Sequence, residues 1–214
     1  MSLKVEIYSD VVCPWCFLGK KRLEAALKSL NITDADVHYL PYELNPSTPA
    51  EGVDRKAYLK AKFGGGRSLD AAHERLATLG KEVGINYRFD DISKVPNTLD
   101  SHRLLWLAEK EGVQPKVKEA LMKAYFTDGK DLSDKKVLTE VVVNAGLDSS
   151  KVKKLLESND GEREVREAEE KVYNLGISGV PFFIFNGKTA ISGAQPLEVF
   201  VSAISDQIAK PINN

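Results

Sequence analysis

The sequence predicts an α/β fold in which two halves of a small mixed sheet are separated by a large all-helical insertion. Three observations predict it. Lys4-Val5-Glu6-Ile7-Tyr8 alternates in character as a strand does and gives way to a helix near Pro14. From about residue 50 to 160 the alternation disappears and apolar residues recur at steps of three and four. Near the end, Asn186-Gly187 sits between the apolar runs Phe182-Phe183-Ile184-Phe185 and Thr189-Ala190-Ile191-Ser192. Asn-Gly there is the strongest short hairpin signal, because both turn positions need positive φ. At 214 residues the chain is long for one ordinary domain and short for two. Residues 1–45 and 160–214 therefore read as one domain, with 46–159 inserted into it.

Each element follows in order. Phe17, Leu18, Leu23, Ala26, Leu27 and Leu30 form the apolar stripe of the first helix, and Pro14 suits its first position. Val37 to Leu44 reads as a second strand, imperfect at Pro41, and a strand, helix and strand of this length make a right-handed parallel crossover. Asn45 to Pro49 is a loop. In the insertion, Ser68 can cap a helix carrying Leu69, Ala72, Leu76, Leu79 and Val83 up to Gly84. Asn97 or Thr98 can cap the next, Pro115 starts another, Ser133 opens one ending at Gly146, and Asp148 caps a short one. Gly64-Gly65-Gly66 is a flexible break and lacks the Gly-Lys-Ser/Thr of a phosphate loop. A helix from Gly161 to Leu175 leads into the hairpin, whose entrance Pro181 is expected at an edge or cis position. Pro196 opens the last helix. This order is that of a thioredoxin fold with a helical domain between its halves.

Cys13 and Cys16 are the only cysteines, spaced by two residues at a helix start. Unpaired backbone N–H groups and the helix dipole favour an anion there, so one thiol is expected to ionise more readily than a free cysteine. Such a pair suits disulfide exchange, with Cys13 attacking and Cys16 resolving the mixed disulfide. The alternatives are weaker. A structural zinc needs four ligands, no second pair of cysteines exists, and His38, His73 and His102 are scattered. No metal is therefore expected. A structural disulfide closing so short a loop would restrain little chain.

Hydrophobic residues make up 43% of the chain and charged ones 29%, a globular composition, and the formal net charge of −1 without a basic run argues against a nucleic-acid or anionic-membrane partner. Neither a secretory pattern at the N-terminus nor an apolar run of membrane-spanning length is present, so a cytoplasmic location is expected. In that compartment a C-x-x-C is catalytic more often than structural.

Ser9-Asp10-Val11-Val12-Cys13-Pro14-Trp15-Cys16 and Gly176-Ile177-Ser178-Gly179-Val180-Pro181-Phe182-Phe183 resemble the end motifs of the DsbA family of oxidoreductases, in its FrnE-like branch. The resemblance spans almost the whole chain, insertion included. It implies that Cys13 is the nucleophile, Cys16 the resolving thiol, and Pro181 a cis-proline beside them. It also implies that the Val180 backbone pairs with a bound peptide or glutathione strand, by β-augmentation. Pro14, Trp15, Val180, Pro181 and Gln195 make up the expected substrate-binding surface, although the plainer reading of Gln195 is the cap of the last helix. The implied function is thiol–disulfide exchange on protein or small-molecule disulfides, with no bound cofactor and glutathione as redox partner or co-substrate.

Two departures stand out. Many oxidising members carry His where this chain has Trp15, which should leave Cys13 less acidic. The carboxylate that thioredoxin-like proteins often bury six residues before the first cysteine is here Ile7, and Glu6 and Asp10 are only nearby acids. Asn97, Asp100, His102 and Arg103 begin an insertion helix that can overhang the cleft, with capping or structural roles as the plainer reading. Trp106, Tyr125 and Phe126 can line an apolar groove, or simply be core. The competing functions are a glutathione-dependent isomerase or kappa-like transferase, which would not need Cys16, and a non-enzymatic binding module, which would not need a redox pair at all.

Overall fold

Strands from opposite ends of the chain meet at the centre of the sheet. In the computed structural model the described residues are 2–64 and 66–209, the last by its backbone alone. Met1, Gly65 of the glycine run, and 210–214 lie outside them. β1 (Lys4–Ser9) runs parallel to β2 (Asp36–Pro41) and antiparallel to β5 (Phe182–Phe185), which pairs with β6 (Thr189–Ser192), giving the order β2-β1-β5-β6. β2 stops at Pro41 and does not continue to Leu44, because proline has no N–H for the ladder. Asn186 (φ 50°) and Gly187 (φ 65°) adopt the positive angles the hairpin demands, and Lys188 N–H donates to Phe185 O at 3.0 Å.

Alternation along the inner strands assigns the two faces. Val5, Ile7, Phe183 and Phe185 meet Leu23 and Ala26 of α1 (Pro14–Ser29) and Phe200, Ala203 and Ile204 of α9 (Leu197–Ala209). Phe183 and Phe200 cross edge to face with centroids 4.9 Å apart. Burying each such ring contributes roughly 1.5–3 kcal/mol. Tyr8, Phe182 and Ile184 point the other way, onto Val172 of α8 (Glu162–Asn174) and Ile177.

Between β2 and α8 the chain is mainly helical. A two-stranded piece, β3 (Val53–Asp54) with β4 (Lys94–Val95), is added to it. α2 (Arg55–Phe63) was not signalled by periodicity, since none of its residues is fully buried, but Asp54 caps it through Ala57 N–H and Gly64 (φ 77°) ends it. α3 (Arg67–Glu82) starts from Gly66, so Ser68 lies inside the helix and does not cap it. α4 (Leu99–Lys110) and α5 (Gln114–Phe126) follow as the spacing implies. α6 (Lys135–Asn144) is capped by Asp134, whose carboxylate accepts Lys136 N–H. Ser133 instead binds Glu51 O and Asp131. α7 (Ser149–Leu156) takes its cap from Asp148. No described helix is long and apolar enough to cross a membrane.

The insertion and α1 share one core. Phe17 packs edge-on to Tyr87 (6.1 Å between centroids) and stacks on Phe126 (6.2 Å), while the Tyr87 hydroxyl donates to Pro14 O at 2.6 Å. The insertion therefore grips the first turn of α1, where the cysteines are. Gly80 makes room for this grip: a Cβ there would stand 2.6 Å from the Tyr87 ring and 3.0 Å from Ile85 O. Gly80→Ala gains helix propensity but should still lower stability by about 1–3 kcal/mol, because the ring is anchored at both ends. Urea unfolding of the two proteins measures this.

Candidate active site

The turn from β1 into α1 places both sulfurs. Cys13 is the N-cap of α1 with extended backbone (φ −92°, ψ 112°) and Pro14 fills the first helical position, where its missing N–H costs nothing. Cys16 N–H and Phe17 N–H donate to Cys13 O at 3.0 and 3.3 Å. The thiols are free and nearly closed off, at 4% and 2% exposure. Cys13 Sγ donates to Val180 O at 3.7 Å, and the Val180–Pro181 peptide bond is cis.

Asp10 lies at the base of the pair, fully buried. One carboxylate oxygen accepts Leu44 N–H at 2.8 Å; the other accepts Val12 N–H at 3.5 Å and stands 3.5 Å from His102 Nε2. That last distance is at the limit of a hydrogen bond, and Nε2 has no closer partner among the described residues. Burial alone would raise the Asp10 carboxyl, but His102, Leu44 N–H and Lys118 together hold it below its ordinary value. It therefore stays ionised beside the thiols.

The Cys13 thiol is pushed well above its ordinary value, first by its side-chain hydrogen bond to Cys16, then by burial, then by the charges of Cys16 and Asp10; Cys16 N–H pulls the other way. The expectation of an unusually acidic thiol is thus corrected for Cys13. Burial beside a second sulfur and a carboxylate outweighs the partial charge of a helix end.

Lys118 of α5 is the residue the sequence reading missed. Its side chain is wholly buried, with Nζ 3.4 Å from Ser9 O and 5.8 Å from the centre of the Tyr39 ring. Burial pushes its ammonium down to about 8, against the pull of Cys16, Asp10 and Cys13, with Lys20 adding to the fall. The signal was in the register. Lys118 stands four residues after Gln114 and three, four and seven before Leu121, Met122 and Tyr125, all on the buried side of α5.

Two recesses share Trp15 and Val180, and one of them reaches Cys13. An open groove of about 630 Å³ is lined by Trp15, Val180, Pro181, Ala194 and Gln195, with Arg22 and Arg75. Arg22 donates to Ala194 O (2.8 Å) and Gln195 O (3.2 Å), and Arg75 lies 5.9 Å from the Trp15 ring. The Gln195 side chain binds back to Ser192 O at 2.8 Å. The second recess is a mostly apolar cavity of about 490 Å³ that includes Cys13, Pro14, Trp15 and Val180 and is roofed by α2 and α3.

The remaining sequence candidates separate. His102 joins the site through Asp10, while Tyr125 and Phe126 line the apolar cavity. Asn97 accepts Leu99 N–H and donates to Thr48 O. Asp100 pairs with Arg103, which spends its other donors on Leu155 O, Ser158 O and Asp160 O at the end of α7. Trp106 lies away from the cleft, over Gly161, with Lys110 3.5 Å from its ring. Glu6 pairs with Lys4 at 3.1 Å.

A model of the DSBA-like thioredoxin domain matches residues 4–205. The chain belongs to the DSBA-like thioredoxin domain family. It is 30% identical over 211 residues to the uncharacterized protein YwbO of Bacillus subtilis (strain 168), covering 98% of this chain and all of that one. A crystal structure of a probable DsbA oxidoreductase, SCO1869 from Streptomyces coelicolor, superposes with a TM-score of 0.92 at 33% identity, covering 99% of this chain and 92% of that one. The structure of the cytosolic disulfide reductase DsbM of Pseudomonas aeruginosa with GSH shares the fold at a TM-score of 0.65 and 15% identity, covering 97% of this chain and all of that one.

The lysine of this DSBA-like site has a measurable signature. A folded-state value near 8 against about 10.4 when unfolded means the buried ammonium costs stability below pH 8, and the cost fades as pH rises toward the unfolded value. Lys118→Met should therefore be more stable than the parent at pH 7, by about 3 kcal/mol at most. The gap should close as pH approaches 10, as read from urea midpoints across that range.

Proposed function

We propose that the protein is a thiol–disulfide oxidoreductase in which Cys13 is the nucleophile and Cys16 the resolving thiol, working chiefly as a disulfide reductase with a glutathione-class thiol as its reductant. The observation that carries this is the pairing of two free, adjacent sulfurs with the Val180 carbonyl 3.7 Å from the first. Val180 makes no hydrogen bond to another backbone group among the described residues, so its edge can receive an extended substrate and set a substrate sulfur against Cys13. Trp15, Pro181 and Gln195 wall the same groove. Arg22 and Arg75, which have no ion pair with a carboxylate among the described residues, suit the two carboxylates of glutathione, and the DsbM structure with GSH is in keeping with that ligand.

The steps balance as follows. Cys13 gives up its proton as it attacks one sulfur of the substrate disulfide, and the other sulfur leaves and takes that proton up as a thiol. Cys16 attacks the Cys13 sulfur, giving up its proton, which the departing second substrate thiolate takes up. Two electrons have then passed to the substrate, and the Cys13–Cys16 disulfide remains. Two equivalents of thiol return it to the dithiol, becoming a disulfide themselves.

The reducing direction follows from the electrostatics. Strong oxidants stabilise their reduced form as a thiolate. Here the intervening Pro14 and Trp15 carry no charge, and Cys13 is held above its ordinary value, so that stabilisation is missing. Equilibration in glutathione buffers should give a two-electron couple closer to about −270 mV than to about −120 mV. Cys16→Ala should accumulate Cys13 as a mixed disulfide visible by mass. Full turnover in Cys16→Ala, with no Cys13–Cys16 disulfide ever formed by the parent, would sink the proposal in favour of a glutathione-dependent isomerase or transferase.

A further inference from the structure

The apolar cavity carries information that disulfide exchange does not use. Its roof, α2, has no fully buried residue, yet Tyr58, Leu59 and the half-exposed Phe63 turn toward the cavity rather than into a core. Leu76, Phe89, Val95, Tyr125 and Phe126 complete the lining. Its volume of about 490 Å³ is that of a small-molecule pocket, smaller than a protein docking face requires.

Into these apolar walls the chain sets a cation. Arg55 is partly buried and lines the cavity. One of its terminal nitrogens donates to Phe89 O at 3.0 Å, the other lies 3.2 Å from His73 Nε2, and the guanidinium packs 5.7 Å from the Phe89 ring centre. All of these partners are neutral or aromatic. Asp90 acts on Arg55 only through space, and no carboxylate forms an ion pair with it among the described residues. Since arginine can only donate, His73 Nε2 must be the acceptor, which keeps that imidazole neutral, and burial followed by Arg55 lowers its protonation further. Lys62 adds a second cation at the same wall. The wall that carries Cys13 bears the ionised Asp10 instead. An anion entering the cavity is thus drawn to α2 and repelled from the thiols, which turns its uncharged part toward Cys13.

We infer that this cavity binds the apolar, aromatic-sized half of a disulfide substrate that bears a carboxylate, with Arg55 as the residue that recognises the anion. The inference rests on the oxidoreductase reading and names the substrate class of its site. Peptide or glutathione occupies the open groove, and the small carboxylate-bearing half occupies the cavity, with the disulfide between them at Cys13.

Two aromatic disulfides of similar size test it: 5,5′-dithiobis(2-nitrobenzoate), which carries carboxylates, and 4,4′-dithiodipyridine, which carries none. Stopped-flow absorbance follows their reduction by the reduced protein. Arg55→Met should slow the carboxylate-bearing disulfide by about ten-fold or more, the scale of a charge-assisted hydrogen bond, and leave the dipyridyl rate unchanged. An unchanged dipyridyl rate also shows that the variant keeps its fold. In the unaltered protein, 2-naphthoate should inhibit reduction of the dipyridyl disulfide competitively and 2-naphthamide should not, a comparison that needs no variant. Equal inhibition by both, or equal slowing of both disulfides, overturns the anion site while leaving the oxidoreductase intact. Failure of Cys13 to react with either disulfide removes the oxidoreductase reading itself.

Discussion

One buried carboxylate holds the site together. Asp10 accepts a hydrogen bond from Leu44 N–H after β2, receives Val12 N–H on the way into α1, and faces His102 on α4. Sheet, cysteine helix and insertion thus converge on two oxygen atoms. Burial makes such a group costly when unpaired, so each partner is needed to keep it charged. Its negative charge in turn acts on everything nearby: it adds to the hold that Cys16 and burial have on the Cys13 proton, it favours the wholly buried Lys118 ammonium, and it sets the polarity of the apolar cavity.

Most of the fold was legible because its signals are local. Asn186-Gly187, the helix stripe after Pro14 and the stop glycines act within a few residues. Gly176 (φ 73°) and Gly146 (φ 113°), for example, do end the helices they follow. α2 was not legible, because its apolar residues face a cavity instead of a core and so make no periodic stripe. Ser68 and Ser133 were plausible caps passed over for neighbours one or two residues away, a choice made by the approach of the chain.

The site divides along the same line. Cys13, Cys16 and Pro181 could be read from motif and spacing, since their chemistry is written in residue type. Asp10 and His102 could be named only as a nearby acid and a candidate histidine, and Lys118 and Arg55 not at all, because what matters about them is depth and company. A lysine between Val117 and Glu119 looks like any solvated helix residue until the turns around it are seen to be buried. Likewise Arg55 opens a strongly basic helix, and what sets it apart from the exposed Lys56, Lys60 and Lys62 is its partial burial against Phe89 O and His73.

The contact between Cys13 and Val180 spans 167 positions of sequence. On a ribosome the sulfur leaves the tunnel long before the backbone that will cover it, by roughly 10 to 30 s at about 5–20 residues per second. During that interval the nascent chain is open to oxidation at both sulfurs. With only two cysteines, however, it has no wrong internal partner to choose. Any disulfide closed within the growing chain can only join Cys13 to Cys16, so premature oxidation yields one defined cross-link and no misjoined isomer.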